Sequence, residues 1–442
     1  MNMRVGVSAL GGLVGGLAGA TTAVVVTEVI KAILTIVSRQ GIVGLIVFPL
    51  IGLVIAVVIL QGYHRGEALQ TLVPDSGRQR TGRRWSLNSM STRDVIRADL
   101  TADVLATAGE EERFPWRLAP IRALAIIATV GLGAPMGTES PAAHLGVSAG
   151  VWLGDRGGWW RRLVRPAGVA GGAAGVSALV GIPLVGTAFI LELGRRRRVP
   201  LSAERVTAAL MGGFVGWAMN IAFHLDLIRL NVPKTAPGDL AIALGTALLV
   251  GLVAGTITSL TGLAIYWARG WQQHFPIFRL VVGGLGVATA TIVLAMIASP
   301  SSAIGPGSGA AAWAEVTHTG GFTLLGVAAV RAAATTAAVI AGGCGGVFVP
   351  FLAIGDIAGR AFAPTFGVPS DLAGAAGAAG GIAGGYRLPY TAAMLVLGLG
   401  GPYAATLTCL ATVGVSTMAG MAAALAIDRV ASFHLAPRAV KA

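Results

Sequence analysis

The sequence predicts an all-α, polytopic membrane protein made of two inverted halves, with broken helices that meet at the middle of the membrane. Three observations lead to this fold class. The chain is 55% hydrophobic and only 12% charged, it contains 65 glycines, and glycine–proline breaks recur at matching places in its two halves. Glycine lets membrane helices pack closely. Broken backbone is tolerated at membrane depth only where it is buried in protein or lines a cavity.

Long apolar runs mark the membrane segments. A helix of about 20 apolar residues crosses a bilayer, and the runs suffice for roughly ten or more such segments. They are Val5–Val26, Ile42–Gln61, Ala123–Val151, Pro166–Leu191, Val206–Phe223, Leu240–Trp267, Leu280–Ala298, Ala332–Gly355 and Leu388–Ile427. The last run is long enough for two passes.

Basic residues are concentrated between the apolar runs, and this explains the net charge of +13. Their clusters at Arg78–Arg84, Arg93–Arg97, Arg156–Arg165 and Arg195–Arg198 are typical of cytoplasmic loops under the positive-inside rule. We therefore expect the lipid bilayer, and no nucleic acid, as a partner. The expected location is a bacterial-type plasma membrane, crossed many times, with both termini in the cytoplasm.

Two polar stretches divide the chain. A charged cytoplasmic connection at 62–122, with one amphipathic helix expected near Ser91–Thr107, lies within a first membrane half at 1–225. The polar break Asp226–Asp239 opens a second membrane half at 226–442. No separate soluble regulatory domain is expected.

The two halves contain a weak internal repeat. The segment Ile182–Gly194 (IPLVGTAFILELG) pairs with Leu388–Gly400 (LPYTAAMLVLGLG), and each follows a run rich in glycine and alanine. Upstream of these segments, Pro141 and Pro350 occupy corresponding positions. Repeats whose broken segments match in this way indicate a site at the midplane, between the halves.

One acidic residue stands inside an apolar run. Glu139 is the only acid between Ala123 and Gly154, and it belongs to the break Gly137–Pro141 (GTESP). A carboxylate costs roughly 2.5–3.5 kcal/mol at the centre of a membrane helix, so an ion or proton site is the first interpretation. The structural alternative is a carboxylate satisfied by backbone amides at a helix start.

A second break, Gly345–Pro350, completes the predicted site. Helices that begin in mid-membrane point unpaired N–H groups and positive dipole ends toward the centre. Two such starts that face each other form an anion site without a buried lysine or arginine. A carboxylate at one start competes with the anion for the same amides and leaves when it is protonated. The pattern therefore predicts an electrostatic gate.

These motifs resemble those of the CLC chloride channels and proton/chloride exchangers. Gly137–Pro141 is similar to the family's G-[KR]-E-G-P, and Gly346–Pro350 (GVFVP) is similar to its G-x-F-x-P. Arg331 with Thr335 and Thr336, and Arg387–Thr391 (RLPYT), also match its pattern. The two five-residue motifs occur in the family's order and accompany the repeat.

The resemblance implies a function and a set of roles. It makes Glu139 the gating, proton-linked glutamate and assigns anion binding to Gly137, Gly346, Val347 and Phe348. It implies transport of a small anion, with chloride as the expected ion, together with protons. It also implies a homodimer with one pathway per subunit. We expect no cofactor, no bound metal and no enzymatic activity.

The gate region departs from the family pattern. Thr138 replaces lysine or arginine, and Ser140 replaces glycine. Leu193 stands where the family has an internal, proton-carrying glutamate. The preceding Glu192 is either a structural carboxylate at a helix end or a proton relay.

Two hydroxyl donors of the family are missing from their usual places. The serine of its G-S-G-I-P motif is not recognisable, and Ser89 and Ser91 are the candidates for it. No tyrosine follows Tyr403, so the donor from the last helix is expected to be absent. We therefore expect a weaker, less selective site, with chloride binding in the millimolar range or poorer, about −4 kcal/mol.

Three alternatives stay open. The first alternative is a passive chloride channel. The second is a fluoride-handling variant, because the site departs from the family's chloride pattern. From a different class, an intramembrane enzyme would need a second catalytic acid, histidine or metal in the apolar core. His144 is the only such residue near Glu139, and on a helix we expect it to pack against a neighbour.

Overall fold

The computed structural model describes most of the membrane part of the chain. The described residues are 2–71, 116–154, 158–196, 199–225, 232, 240–270, 276–400, 404 and 406–435. Within them the regular secondary structure is helical, apart from one isolated bridge between Gly137 and Gly346. The predicted all-α class is confirmed. The helix expected near Ser91–Thr107 and most of the break Asp226–Asp239 lie outside the described residues.

The described residues form sixteen α-helices. They are α1 Asn2–Ser38, α2 Ile42–Thr71, α3 Ala119–Ile126, α4 Glu139–Gly154, α5 Val164–Val180, α6 Pro183–Arg196, α7 Ala203–Phe223, α8 Leu240–Gly270, α9 Pro276–Ile297, α10 Ser308–Val316, α11 Gly321–Ile340, α12 Phe348–Arg360, α13 Ala363–Phe366, α14 Ser370–Tyr386, α15 Pro389–Leu399 and α16 Leu407–Leu435. In this part of the chain, eight helical segments are long and apolar enough to cross a membrane.

Two apolar runs are each divided by a break, and the helices after the breaks, α4 and α12, begin at Glu139 and Phe348. The breaks have the same local cause. Gly133 and Gly342 both have φ of 94°, a conformation that favours glycine and interrupts a helix. Proline is the third residue of both helices, where its missing N–H costs no helical hydrogen bond. The starts predicted from the glycine–proline pattern are therefore confirmed.

The helices of the two halves pack in the same pattern. In the first half α1 packs on α5 and α7, while α5 also packs on α4, α6 and α7. In the second half α8 packs on α14 and α16, while α14 also packs on α12, α15 and α16. The two blocks thus repeat one architecture. The boundary between halves at 225/226 stays a prediction.

Glycine permits the closest of these contacts. A Cβ at Gly146 on α4 would lie 2.1 Å from the carbonyl oxygen of Gly171 on α5. In the second half, a Cβ at Gly355 on α12 would lie 2.3 Å from the carbonyl oxygen of Gly377 on α14. Both helix pairs therefore approach to a distance that only glycine allows. The high glycine content of the sequence is a consequence of this packing.

The segments matched in the sequence, Ile182–Gly194 and Leu388–Gly400, occupy equivalent places. The helix before each segment ends at a left-handed residue, Gly181 with φ of 73° and Arg387 with φ of 58°. A new helix then begins at the proline of each segment, giving α6 and α15. These two helices pack against each other, so the matched segments meet where the halves join.

Candidate functional site

The two breaks are joined by backbone hydrogen bonds. The N–H of Gly137 donates to the carbonyl oxygen of Gly346 at 2.6 Å, and the N–H of Gly346 donates to that of Gly137 at 2.7 Å. The pairing is antiparallel, so the starts of α4 and α12 lie next to each other. Both glycine N–H groups are used by this bridge, which differs from their expected role as anion donors. The two glycines join the helix starts.

Glu139 is the first residue of α4, and its side chain reaches the start of α12. The residue is 1% exposed. Its Oε2 accepts a hydrogen bond from the N–H of Val349 at 3.4 Å, and its Oε1 accepts one from the Thr138 hydroxyl at 3.2 Å. A Cβ at Gly137 would lie 2.4 Å from Oε2, so glycine leaves room for this placement. The carboxylate at the start of α4 thus accepts a hydrogen bond from an amide at the start of α12.

Buried polar side chains support the first break. Arg331 is fully buried, and its guanidinium donates to three carbonyl oxygens of the segment Ser302–Gly305, at 2.8–3.3 Å. The hydroxyl of Thr335 donates to the carbonyl oxygen of Pro135 at 3.0 Å. The N–H of Gly305 donates to the carbonyl oxygen of Gly133 at 2.9 Å. Arg331 and Thr335 therefore hold the loop that leads to α4, while the hydroxyl of Thr336 donates to the carbonyl oxygen of Ala332 within α11.

Phe348 lies in an aromatic cluster beside the bridge. It is 1% exposed. Its ring makes edge contacts with Phe189 of α6, at a centroid distance of 5.8 Å, and with Tyr386 of α14, at 5.1 Å. Tyr386 also contacts Phe351, at 5.7 Å. Side chains from two other helices, α6 and α14, thereby fix the first turn of α12.

The sequence interpretation missed Tyr386. Its hydroxyl lies 3.0 Å from the hydroxyl of Ser140, in the first turn of α4. Two signals were available: Tyr386 directly precedes Arg387–Thr391, and Ser140 carries a hydroxyl where the family has glycine. Neither signal indicates by itself that the two residues meet.

Glu192 caps a helix of the other half. Its Oε1 accepts a hydrogen bond from the N–H of Tyr390 at 3.0 Å. Its Oε2 accepts from the N–H of Thr391 at 2.8 Å and from the hydroxyl of Thr391 at 2.5 Å. These groups belong to the first turn of α15, so the structural interpretation of Glu192 is favoured, at a helix start rather than an end. The adjacent Leu193 is fully buried.

A buried ion pair at the far end of α12 was also missed. Nε of Arg360 lies 3.0 Å from Oδ2 of Asp356, and Nη1 of Arg360 lies 2.7 Å from Oδ1 of Asp371. Asp356 and Arg360 are four residues apart on α12, a spacing at which side chains meet on a helix. Asp371 belongs to α14. The ion pair therefore holds α12 and α14 together.

Three remaining predictions concern other positions. Nη1 of Arg122 lies 3.2 Å from Nε2 of His144, and both residues are buried. His144 therefore packs against a neighbour, as expected. Within the described ranges, no group of three or more His, Cys, Asp or Glu side chains could hold a metal ion. Ser89, Ser91 and Tyr403 lie outside those ranges.

Comparison with known families identifies the chain. A family model described as voltage gated chloride channel matches residues 96–421. The chain belongs to the voltage gated chloride channel family. Together with the eight apolar helical segments found among the described residues, this makes it an integral, multi-pass membrane protein.

Curated relatives come from the same family. The chain is 26% identical over 306 residues to proteins named "H(+)/Cl(-) exchange transporter ClcA". They come from Yersinia pestis bv. Antiqua (strain Angola) and Yersinia pseudotuberculosis serotype O:3 (strain YPIII). The match covers 64% of this chain and 60% of the length of each relative.

Solved structures share the fold. A slow cyanobacterial Cl⁻/H⁺ antiporter is similar with a TM-score of 0.71 and 19% identity, over 98% of both chains. A eukaryotic CLC transporter gives 0.65 and 16% identity, over 96% of this chain and 71% of the other. A CLC-type fluoride/proton antiporter gives 0.65 and 17% identity, over 95% and 96%. The predicted CLC-like architecture is confirmed.

Proposed function

We propose that this protein exchanges chloride for protons across a membrane, with Glu139 as the gate. One observation carries the proposal: the buried Glu139 carboxylate accepts a hydrogen bond from an amide in the first turn of α12. An isolated carboxylate inside a membrane protein marks an ion or proton pathway. Here it stands where an anion would bind, at the positive end of a second helix.

The gate follows from competition for one set of donors. Ionised Glu139 takes the amide of Val349, and its negative charge repels an arriving anion. Protonation removes that charge and weakens the hydrogen bond, because hydrogen bonds to ionised groups are about twice as strong as neutral ones. The side chain then leaves, and the anion takes the amides at Val347, Phe348 and Val349. Return of the carboxylate after it has released its proton expels the anion.

The relatives support the choice of substrates. Those named as H(+)/Cl(-) exchange transporters point to chloride and protons. We assign the proton-linked role to Glu139 alone, because Glu192 is engaged as a helix cap. Leu193 offers no titratable group at the family's internal position.

The assembly and location belong to the same proposal. Family membership supports a homodimer with one pathway per subunit, surrounded by lipid. The bacterial relatives support a bacterial-type plasma membrane. Chemical cross-linking in mild detergent should give a dimer, and a monomer as the sole product would contradict this part. The orientation of the termini can be read from the accessibility of single introduced cysteines.

Efflux from reconstituted liposomes tests the transport. Vesicles loaded with chloride, fluoride or nitrate are diluted into a weakly buffered medium while anion release and external pH are recorded. Chloride release with proton uptake, seen as a rise in external pH, supports the proposal. Release without a pH change would indicate a passive channel, and release of fluoride well ahead of chloride would indicate a fluoride variant. No anion release would contradict anion transport altogether.

A further inference from the structure

We propose that the hydroxyl pair Ser140–Tyr386 supplies the side-chain donors for the central anion, in place of the two family hydroxyls that are missing from their usual positions. The inference rests on the proposed function. It adds a specificity-determining pair to the backbone amides of α12. The pair is formed by one residue from each half of the molecule.

Ser140 lies at the junction of the two breaks. It is the second residue of α4 and is 1% exposed. A Cβ built on Gly346 would lie 3.3 Å from the Cβ of Ser140, so the serine side chain is next to the residue that leads into α12. The Ser140 side chain is therefore held at the junction that leads into α12.

Tyr386 reaches the same place from α14. The residue is 6% exposed, and its ring is held by edge contacts with Phe348 and Phe351 of α12. These contacts fix the direction of the phenol, whose oxygen lies 3.0 Å from the oxygen of Ser140. A rigid ring loses little conformational entropy when its hydroxyl binds a ligand. The tyrosine is thus preorganised at the start of α12.

The chemistry of two bonded hydroxyls suits an anion. A hydroxyl hydrogen rotates toward the best acceptor near it, and hydrogen bonds to a charged acceptor are the stronger ones. In a pair, one hydroxyl donates to the other, and the acceptor of that bond becomes a better donor itself. Either oxygen can take either role. An anion at the start of α12 would therefore accept a hydrogen bond from one hydroxyl. The bond between the two hydroxyls would strengthen that donor.

This pair accounts for two departures from the family pattern at once. Ser140 replaces a glycine, and the last helix lacks the expected tyrosine. The serine gives Tyr386 a partner, and Tyr386 brings a phenol to the site from α14 instead. We therefore expect a tighter chloride site than the sequence alone predicted, with a dissociation constant below the millimolar range.

Calorimetric chloride binding to the purified protein tests the pair. Tyr386→Phe keeps the ring contacts and removes the hydroxyl, so the dissociation constant should rise by about 10-fold or more. Tyr390→Phe is the matched control, because Tyr390 is 61% exposed and the same group is lost there. Ser140→Ala should also weaken binding. Since the hydroxyls act as a unit, the double variant should lose less than the sum of the single losses.

A second readout separates anion binding from a structural role. The chloride-to-nitrate flux ratio in liposomes should change in Tyr386→Phe and stay constant in Tyr390→Phe. If Tyr386→Phe does not fold, Ser140→Gly removes a hydroxyl without disturbing the aromatic contacts and should weaken chloride binding. The inference would be overturned if Tyr386→Phe, or Ser140→Gly in its place, kept the wild-type chloride affinity and flux ratio. The proposed transport function would not be affected by that result. Absence of anion flux in the wild type would instead overturn the proposed function.

Discussion

Replacement of Glu139 by glutamine removes the negative charge from the start of α12 and nearly preserves the shape of the side chain. In the structure, that charge is stabilised by the N–H of Val349 at 3.4 Å and by the Thr138 hydroxyl at 3.2 Å. Glutamine imitates the protonated glutamate, which is the open form of the proposed gate. The variant should therefore bind and conduct anions without a dependence on pH.

The size of the effect follows from the amide that is released. A hydrogen bond to a charged group contributes about 1.5–3 kcal/mol, and the length of the Val349 contact places it at the lower end. An anion that no longer displaces the carboxylate gains about 1.5 kcal/mol, or a factor of about 10 in affinity. Wild-type binding should tighten as the pH falls, because protonation releases the same amide. The affinity of Glu139→Gln should be equal at both ends of the pH range.

Chloride calorimetry at pH 5 and pH 8, with liposome flux under external pH recording, measures these effects. Glu28→Gln is the control, since Glu28 lies on α1 with its side chain 50% exposed. It should behave as the wild type. Chloride flux should persist in Glu139→Gln while proton movement stops. A Glu139→Gln protein that still moves protons against chloride would refute the gating assignment.

Three further predictions concern the supports of the site. Gly137→Ala places a Cβ 2.4 Å from Oε2 of Glu139, so it should displace the carboxylate and raise chloride affinity at pH 8, measured by calorimetry. Glu192→Gln should destabilise the protein by about 1–3 kcal/mol through the weakened cap and keep proton coupling; lost coupling with an unchanged melting temperature would make Glu192 a proton relay instead. Gly146→Ala places a Cβ 2.1 Å from a carbonyl oxygen of α5 and should lower the melting temperature strongly. Gly245→Ala, with nothing within 4 Å, should not.

Local chemistry explains why the sequence predicted so much of the fold. Apolar runs of about 20 residues predict membrane helices, because an unpaired backbone is costly in lipid. The starts at Glu139 and Phe348 are set by nearby glycines and by proline in the first turn, and both signals are visible in a short window. Since the same signals occur in both halves, the repeat was visible as well.

The sequence determined the helical class, the two breaks and the position of one carboxylate at a helix start. Only the tertiary structure decided which groups surround it. Ser140 and Tyr386 are 246 residues apart, and Glu192 meets Thr391 across the halves. Such pairs depend on how the helices pack. Glycine at the contacts lets the helix backbones approach as closely as possible. The type of a residue determines which hydrogen bonds it can donate or accept. Its actual partner depends on which side chains and backbone groups the other helices bring close to it.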